Sequence, residues 1–182
     1  MRIDQLSPTC EVVYSTTGNT NQNVEASLVN CSEPIVGITG HTFTGNGNYT
    51  FEFTDLLGNP GSTVATVSWI DKSAVSCAIS YDIESNTNQD VVASLTGCNK
   101  SVTVTNNGGL TEYTFTGNGN FTFEYEDAYG NTGSTLATVS WIDKDSPEAV
   151  SVIYSPSGNT NQPVIVTLIT NKSVQTITGW TG

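Results

Sequence analysis

The stretch "STVATVSWIDK" at 62–72 returns as "STLATVSWIDK" at 134–144, and that recurrence constrains the fold more than any other feature of the chain. Trp69 and Trp141 stand 72 residues apart. "TFTGNGNYTFEF" (42–53) and "TFTGNGNFTFEY" (114–125) keep the same interval. "YSTTGNTNQNV" (14–24) returns as "YDIESNTNQDV" (81–91) and again as "YSPSGNTNQPV" (154–164). Recurrence of the same blocks in the same order at this spacing means that one small folding unit is copied along the chain. The copies divide it into a linker from a preceding repeat (1–8), repeat 1 (9–72), repeat 2 (73–144) and the N-terminal half of repeat 3 (145–182). "IDQLSPTC" (3–10) matches the junction "IDKSAVSC" (70–77), so the expectation is a segment of a longer array.

Each copy reads as all-β. Val12 and Tyr14, then Val24, Ala26 and Leu28, then Tyr49, Phe51 and Phe53, then Ala65, Val67 and Trp69 all recur at period two. Such alternation buries one face of a strand and wets the other. Asn46-Gly47 lies between two alternating runs, which predicts a β-hairpin over 42–53 and a second over 114–125. About seven short strands per repeat, separated by Gly/Asn turns, predict a small sandwich. No helical period is present.

The order Tyr-Ser…Thr-Asn-Gln-x-Val, Tyr-Thr-Phe-Thr-Gly-Asn-Gly, Phe-Glu-Tyr-Glu-Asp-Ala-Tyr-Gly-Asn and Ala-Thr-Val-Ser-Trp-Ile-Asp-Lys resembles bacterial immunoglobulin-like tandem repeats of secreted and cell-surface proteins. The resemblance covers nearly the whole chain. It implies tandem immunoglobulin-like β-sandwiches, two complete and one truncated. It says little about activity, because such modules serve as stalk, spacer and adhesin alike.

Cys10 and Cys31 are 21 residues apart, as are Cys77 and Cys98. Each pair occupies equivalent places, and repeat 3 lacks both members together. Joint presence and joint loss predict one disulfide within each repeat. Metal binding would need more ligands than two Cys and one His supply. Disulfides in turn imply an oxidising compartment, outside the cell or on its surface. Cys31 has the opposite parity to Val24, Ala26 and Leu28, so a bulge near Asn30, or a Cys31 just past the strand, is required.

The chain carries 5 Lys+Arg against 17 Asp+Glu, a net charge of -12. That balance argues against nucleic acid and anionic lipid as partners. No apolar run is long enough to insert in a membrane. "MRIDQL" lacks the apolar core of an export signal, so an exported parent would carry its signal elsewhere. The single histidine, His41, is matched by Tyr113 in repeat 2, which argues against a catalytic base. Glu52 and Glu124 recur on an outward strand face rather than in a cleft. No catalytic residue is assigned, and an enzyme is the least expected class.

Four aspartates are the candidate ligands for calcium. Asp55 and Asp127 open "DLLGN" and "DAYGN", and Asp71 and Asp143 sit in the linkers after the last strand. Carboxylates with Asn and backbone oxygens suit Ca²⁺. The alternative is turn chemistry, in which Asp bonds its own backbone. Trp69, Trp141 and Trp180 are read as core residues rather than sugar platforms. Lys100 and Lys172, in Asn-Lys-Ser turns, are read as exposed turn lysines rather than crosslink donors. Asn30, Asn48, Asn99, Asn120 and Asn171 begin Asn-x-Ser/Thr triplets, which chance supplies in so Asn- and Thr-rich a chain.

The functional expectation is a structural stalk or spacer whose first partners are neighbouring repeats of the same chain. The alternatives are an adhesin or carbohydrate-binding repeat that meets surface glycans or proteins, and a filament subunit that joins other copies by strand addition at the incomplete repeat.

Overall fold

The protein is described by a computed structural model over residues 5–174. These residues are built of strands, with a single 3₁₀ turn at Asn107–Gly109. Repeat 1 holds β1 (Glu11–Tyr14), β2 (Val24–Val29), β3 (Ile35–Gly37), β4 (Gly40–Phe43), β5 (Gly47–Asp55) and β6 (Pro60–Val67). Repeat 2 holds β7 (Ala78–Tyr81), β8 (Val91–Thr96), β9 (Val102–Val104), β10 (Glu112–Phe115), β11 (Gly119–Asp127) and β12 (Thr132–Val139). β13 (Ala149–Ser155) and β14 (Ile165–Thr170) follow.

The strands of repeat 1 form two antiparallel sheets, in the orders β1-β2-β4 and β3-β5-β6. Repeat 2 repeats the plan as β7-β8-β10 and β9-β11-β12. Each pair of sheets shares one core. Val24, Ala26, Leu28 and Phe43 from one sheet of repeat 1 meet Phe51, Phe53, Ala65 and Val67 from the other. Val91, Ala93, Leu95 and Phe115 meet Val104, Phe123, Tyr125, Ala137 and Val139 in repeat 2. The alternation read from sequence is therefore the alternation of burial, and non-directional apolar burial drives it.

Polar bonds then stitch the two sheets of a repeat together. The Tyr14 hydroxyl on β1 accepts from the Thr66 N–H on β6 at 2.9 Å, and Tyr81 accepts from Thr138 at 2.8 Å. Six strands per repeat stand where about seven were expected, and β6 and β12 stop short of Trp69 and Trp141. Beyond them, Ile70 pairs in parallel with Thr20, and Ile142 with Thr87. The Asn-Thr-Asn-Gln loop thereby holds the start of each linker.

The expected hairpins at 42–53 and 114–125 do not form. β4 pairs with β2 and β5 pairs with β3 and β6, so the Gly-Asn-Gly-Asn segment is a corner between sheets. The Asn46 side chain explains why it is not a turn. Its amide donates to the Ile70 carbonyl at 3.0 Å and accepts from the Ile70 N–H at 2.8 Å, as a strand neighbour would. Asn118 does the same with Ile142. The long hairpins are instead β5–β6 and β11–β12, which turn through "DLLGN" and "DAYGN". Gly58 and Gly130 take φ of 90° and 82° there, a left-handed conformation that glycine adopts without strain.

Cys10 is bonded to Cys31 and Cys77 to Cys98. The parity conflict resolves at one residue in each repeat. β2 ends at Val29 and Asn30 turns left-handed at φ 49°; β8 ends at Thr96 and Gly97 does so at φ 57°. Each second cysteine therefore lies just past its strand and is swung back to the first.

The stretch before β7 runs close over β12. A Cβ on Gly133 would lie 2.5 Å from Tyr125 Cε2 and 2.9 Å from the Val75 carbonyl oxygen. Gly133→Ala is expected to destabilise repeat 2 by about 1–3 kcal/mol, the usual cost of overpacking. Chemical denaturation of the variant measures this, and an unchanged midpoint would mean that the linker does not hold this close position.

Candidate functional site

A polar cluster lies at the junction of repeats 1 and 2, and Lys100 is its centre. Lys100 follows Cys98 and Asn99 in the turn into β9, which aims its stem at the linker. Its ammonium donates to Asp71 Oδ2 at 2.9 Å, Asp127 Oδ2 at 3.0 Å and the Ser73 carbonyl at 2.7 Å. Asp71 lies at the end of repeat 1, Ser73 opens repeat 2, and Asp127 ends β11. The Lys100 side chain is 21% exposed and that of Asp127 only 2%. An ion pair at this depth is screened far less than a surface pair. Two further bonds cross the junction. Asn131 Nδ2 donates to the Asp71 carbonyl at 3.0 Å, and Asn21 Nδ2 donates to the Gly130 carbonyl at 2.7 Å.

Asp127 is saturated by donors. Oδ1 accepts the N–H groups of Tyr129 and Asn131, both at 2.9 Å, and Oδ2 accepts Asn131 Nδ2 at 2.9 Å beside Lys100. Burial pushes this carboxyl up, but the bonds from Asn131, Lys100 and Tyr129 outweigh it and hold it well below the usual carboxylate range. Asp55 repeats the turn in repeat 1, with Leu57 and Asn59 as donors and no lysine. Burial raises its carboxyl, and the Asn59, Leu57 and Gly58 bonds more than offset that. The side-chain and backbone bonds from Ser73, followed by Lys100, bring Asp71 down to about 2. Burial works against the charge on Lys100, yet Asp71 and Asp127 raise its pKa above the ordinary value.

Lys172 makes the same reach at the next junction. It donates to both carboxylate oxygens of Asp143, at 2.5 and 2.7 Å, and to the Asp145 carbonyl at 3.0 Å. The Lys172 bond, then the Asp145 N–H, lower the Asp143 carboxyl. In repeat 1 the place of Lys100 is taken by Glu33, which follows Cys31 at the same interval.

Of the four aspartates expected to hold calcium, only Asp71 and Asp127 share a cluster, and an ammonium group joins them. No group of three or more His, Cys, Asp or Glu side chains is placed to hold a metal ion among the described residues. The donors aimed at Asp127 and Asp55 use the lone pairs that an oxygen-liganded cation needs. Asp55 and Asp127 make the turn bonds of the alternative reading, in which Asp bonds its own backbone. Lys100 and Lys172 are not the exposed turn lysines expected from their Asn-Lys-Ser context. The sequence held one signal for them: each lysine co-occurs with a linker aspartate 29 residues earlier.

The other candidates are structural in position. Trp69 donates its indole N–H to the Thr16 carbonyl at 3.1 Å and meets Tyr14 edge-on at 5.3 Å. Trp141 repeats this with Ile83 and Tyr81. Trp180 lies outside the described residues. His41 stacks on Tyr49 at 3.7 Å, as Tyr113 stacks on Phe121 at 3.9 Å, so the position selects a flat ring. Glu52 and Glu124 point outward and are exposed. Asn99 uses its side chain on Ser76 and Ala74.

Comparison with protein-family models, with curated proteins and with solved structures returned no match.

The junction carries a pH signature of fixed sign. Asp71 and Asp127 have carboxyls below the ordinary 3.8, so their contribution is complete above about pH 4. It is lost as pH falls, for Asp71 through about 2. Lys100 lies above its ordinary 10.5, so its contribution is complete below that value and is lost only as pH rises through the higher folded value. Amide exchange in the 71–73 linker is expected to stay slow from about pH 4 to about pH 10 after correction for intrinsic rates, and to quicken on either side. A step near neutrality would contradict this account.

Proposed function

We propose that this chain is a non-catalytic structural spacer from an exported surface or extracellular protein, built of tandem immunoglobulin-like sandwiches. The observation that carries the reading is the junction. Repeats 1 and 2 are tied by the Lys100 bridge between Asp71 and Asp127 and by the Asn21–Gly130 bond, across a linker with no glycine. A flexible connector would hold none of these, whereas a spacer gains reach from a junction that resists bending.

The sheet orders support the immunoglobulin-like part of the proposal. β1-β2-β4 and β3-β5-β6 read as strands A-B-E and C-F-G of a constant-type domain without strand D. The disulfide differs from the antibody pattern, since it clamps two neighbouring strands of one sheet rather than the two sheets. Two disulfides in so short a chain also fit an oxidising compartment. No observation favours the glycan-binding alternative, because Trp69 and Trp141 are both packed against tyrosines.

Small-angle scattering of the wild type beside an Asp71→Asn, Lys100→Met variant tests the proposal. The wild type should give an extended particle with a narrow distance distribution. The variant should keep two cooperative melting transitions, with that of repeat 2 lowered because Asp127 loses its ammonium partner, and show a broader distribution. Profiles in calcium and in chelator should coincide. A compact wild type with the repeats folded back on each other would sink the spacer reading.

A further inference from the structure

Two asparagines break a rule that the rest of the fold keeps. Asparagine is depleted in strands, because its side chain competes for backbone bonds. Among the described residues, strands nonetheless hold Asn48 in β5 and Asn120 in β11, and no other asparagine. The two occupy equivalent places in "TFTGNGNYTFEF" and "TFTGNGNFTFEY". Both are exposed, and neither side chain has a hydrogen-bond partner among the described residues. Asn46 and Asn118, two residues earlier, show the contrast, since their amides hold Ile70 and Ile142. A residue set against local propensity with no compensating contact points to a role outside the fold.

We propose that Asn48 and Asn120 are acceptors for Asn-linked glycans, one on each complete repeat. Each begins an acceptor triplet, Asn48-Tyr49-Thr50 and Asn120-Phe121-Thr122. Strand alternation puts the asparagine and the threonine on one exposed face and turns the ring between them toward the core. The amide and the hydroxyl that a transferase must meet therefore face solvent together. The donor is a sugar activated at C1 as a diphosphate ester. The bond from C1 to Asn Nδ2 forms as the bond from C1 to the diphosphate oxygen breaks. The diphosphate leaves with the electron pair, and one amide proton passes to a base of the transferase.

The other three triplets sort the opposite way. Asn30 donates to Glu11 Oε2 at 2.9 Å. Asn99 donates to the Ala74 carbonyl at 3.1 Å and accepts the Ser76 N–H at 3.0 Å. Asn171 accepts the Glu148 N–H at 2.8 Å. Those side chains are committed to turns, whereas a glycan on Asn48 or Asn120 displaces no bond. It would stand on the outer face of β3-β5-β6 or β9-β11-β12 as a bulky, solubilising group. The inference rests on the export part of the proposed function, since such transfer takes place along the export route.

The test secretes the full chain from cells whose export route transfers glycans to Asn-x-Ser/Thr. Peptide N-glycosidase in heavy-oxygen water then marks each former glycan site for mass spectrometry. Marks are expected at Asn48 and Asn120 and at none of Asn30, Asn99 and Asn171. Asn48→Gln and Asn120→Gln should each remove one glycan. Thr50→Val and Thr122→Val should do the same while keeping the asparagine. Both disulfides and the melting of repeats 1 and 2 should be unchanged in all four variants. A secreted chain with closed disulfides and no glycan overturns the proposal and leaves the export reading standing. A chain with neither disulfides nor glycans overturns both. A glycan at only one of the two positions, or at Asn30, Asn99 or Asn171, also overturns the proposal.

Discussion

Phe123→Ala is expected to unfold repeat 2 and leave repeat 1 folded. Phe123 is fully buried on β11, in the core that β8, β9, β10 and β12 also line. Removing a buried phenylalanine ring costs about 3–5 kcal/mol, through lost transfer energy and the cavity left behind. A small domain has a total stability of about 5–15 kcal/mol, and one of this size lies toward the lower end. The buried residues of repeat 1 run from Val24 to Ile70 and form a separate cluster from those of repeat 2. Calorimetry should therefore show one transition lost or moved far down and another in its original place. Loss of both together would mean that the two cores melt as one unit.

The second large effect belongs to the disulfides. Replacing Cys77 and Cys98 together with serine should destabilise repeat 2 by about 3 kcal/mol, the chain-entropy value for opening a loop of this length. The separation of 21 residues is the same in repeat 1, so the Cys10 and Cys31 pair should cost a similar amount there. Reducing agent should reproduce both effects in the wild type, and equilibrium denaturation with and without it is the measurement. A reduced protein with unchanged midpoints would show that the hairpins β1–β2 and β7–β8 are held without the bonds.

Much of the fold was legible because burial follows parity. Val24, Ala26 and Leu28 alternate in sequence and are all buried, as are Phe51 and Phe53. What alternation does not encode is the sheet to which a strand belongs. The runs on either side of Asn46 satisfy a hairpin pattern equally well whether they pair with each other or with β2 and β6. The choice is made by a side chain: the Asn46 amide takes Ile70 as its partner, 24 residues away. The sequence does not display that distance.

The junction was legible in half. Asp71, Asp127 and Asp143 stood out as acids at loops and linkers. Their partner lysines did not, because an Asn-Lys-Ser turn has the composition of solvent-facing chain. The stem of Lys100 has the length to fold back over the linker, and two carboxylates make that folding favourable. What the acids alone did not reveal is that the ammonium of Lys100 lies between Asp71 and Asp127. The residues that close the turn, Asn59 and Asn131, were visible only as parts of a repeated "GN".

Where the disulfides sit decides how a repeat would respond to being pulled from its ends. Tension that enters repeat 1 from its N-terminal side reaches Cys10 before β1, and the covalent bond passes it directly to Cys31 beyond β2. The hairpin between them carries no load and does not unravel. At about 3.5 Å per residue, each intact bond withholds about 70 Å of chain from the length released when its repeat gives way. Reduction would return that slack, so the reach of a stretched array would be set by the oxidation state of its surroundings as well as by the number of its repeats.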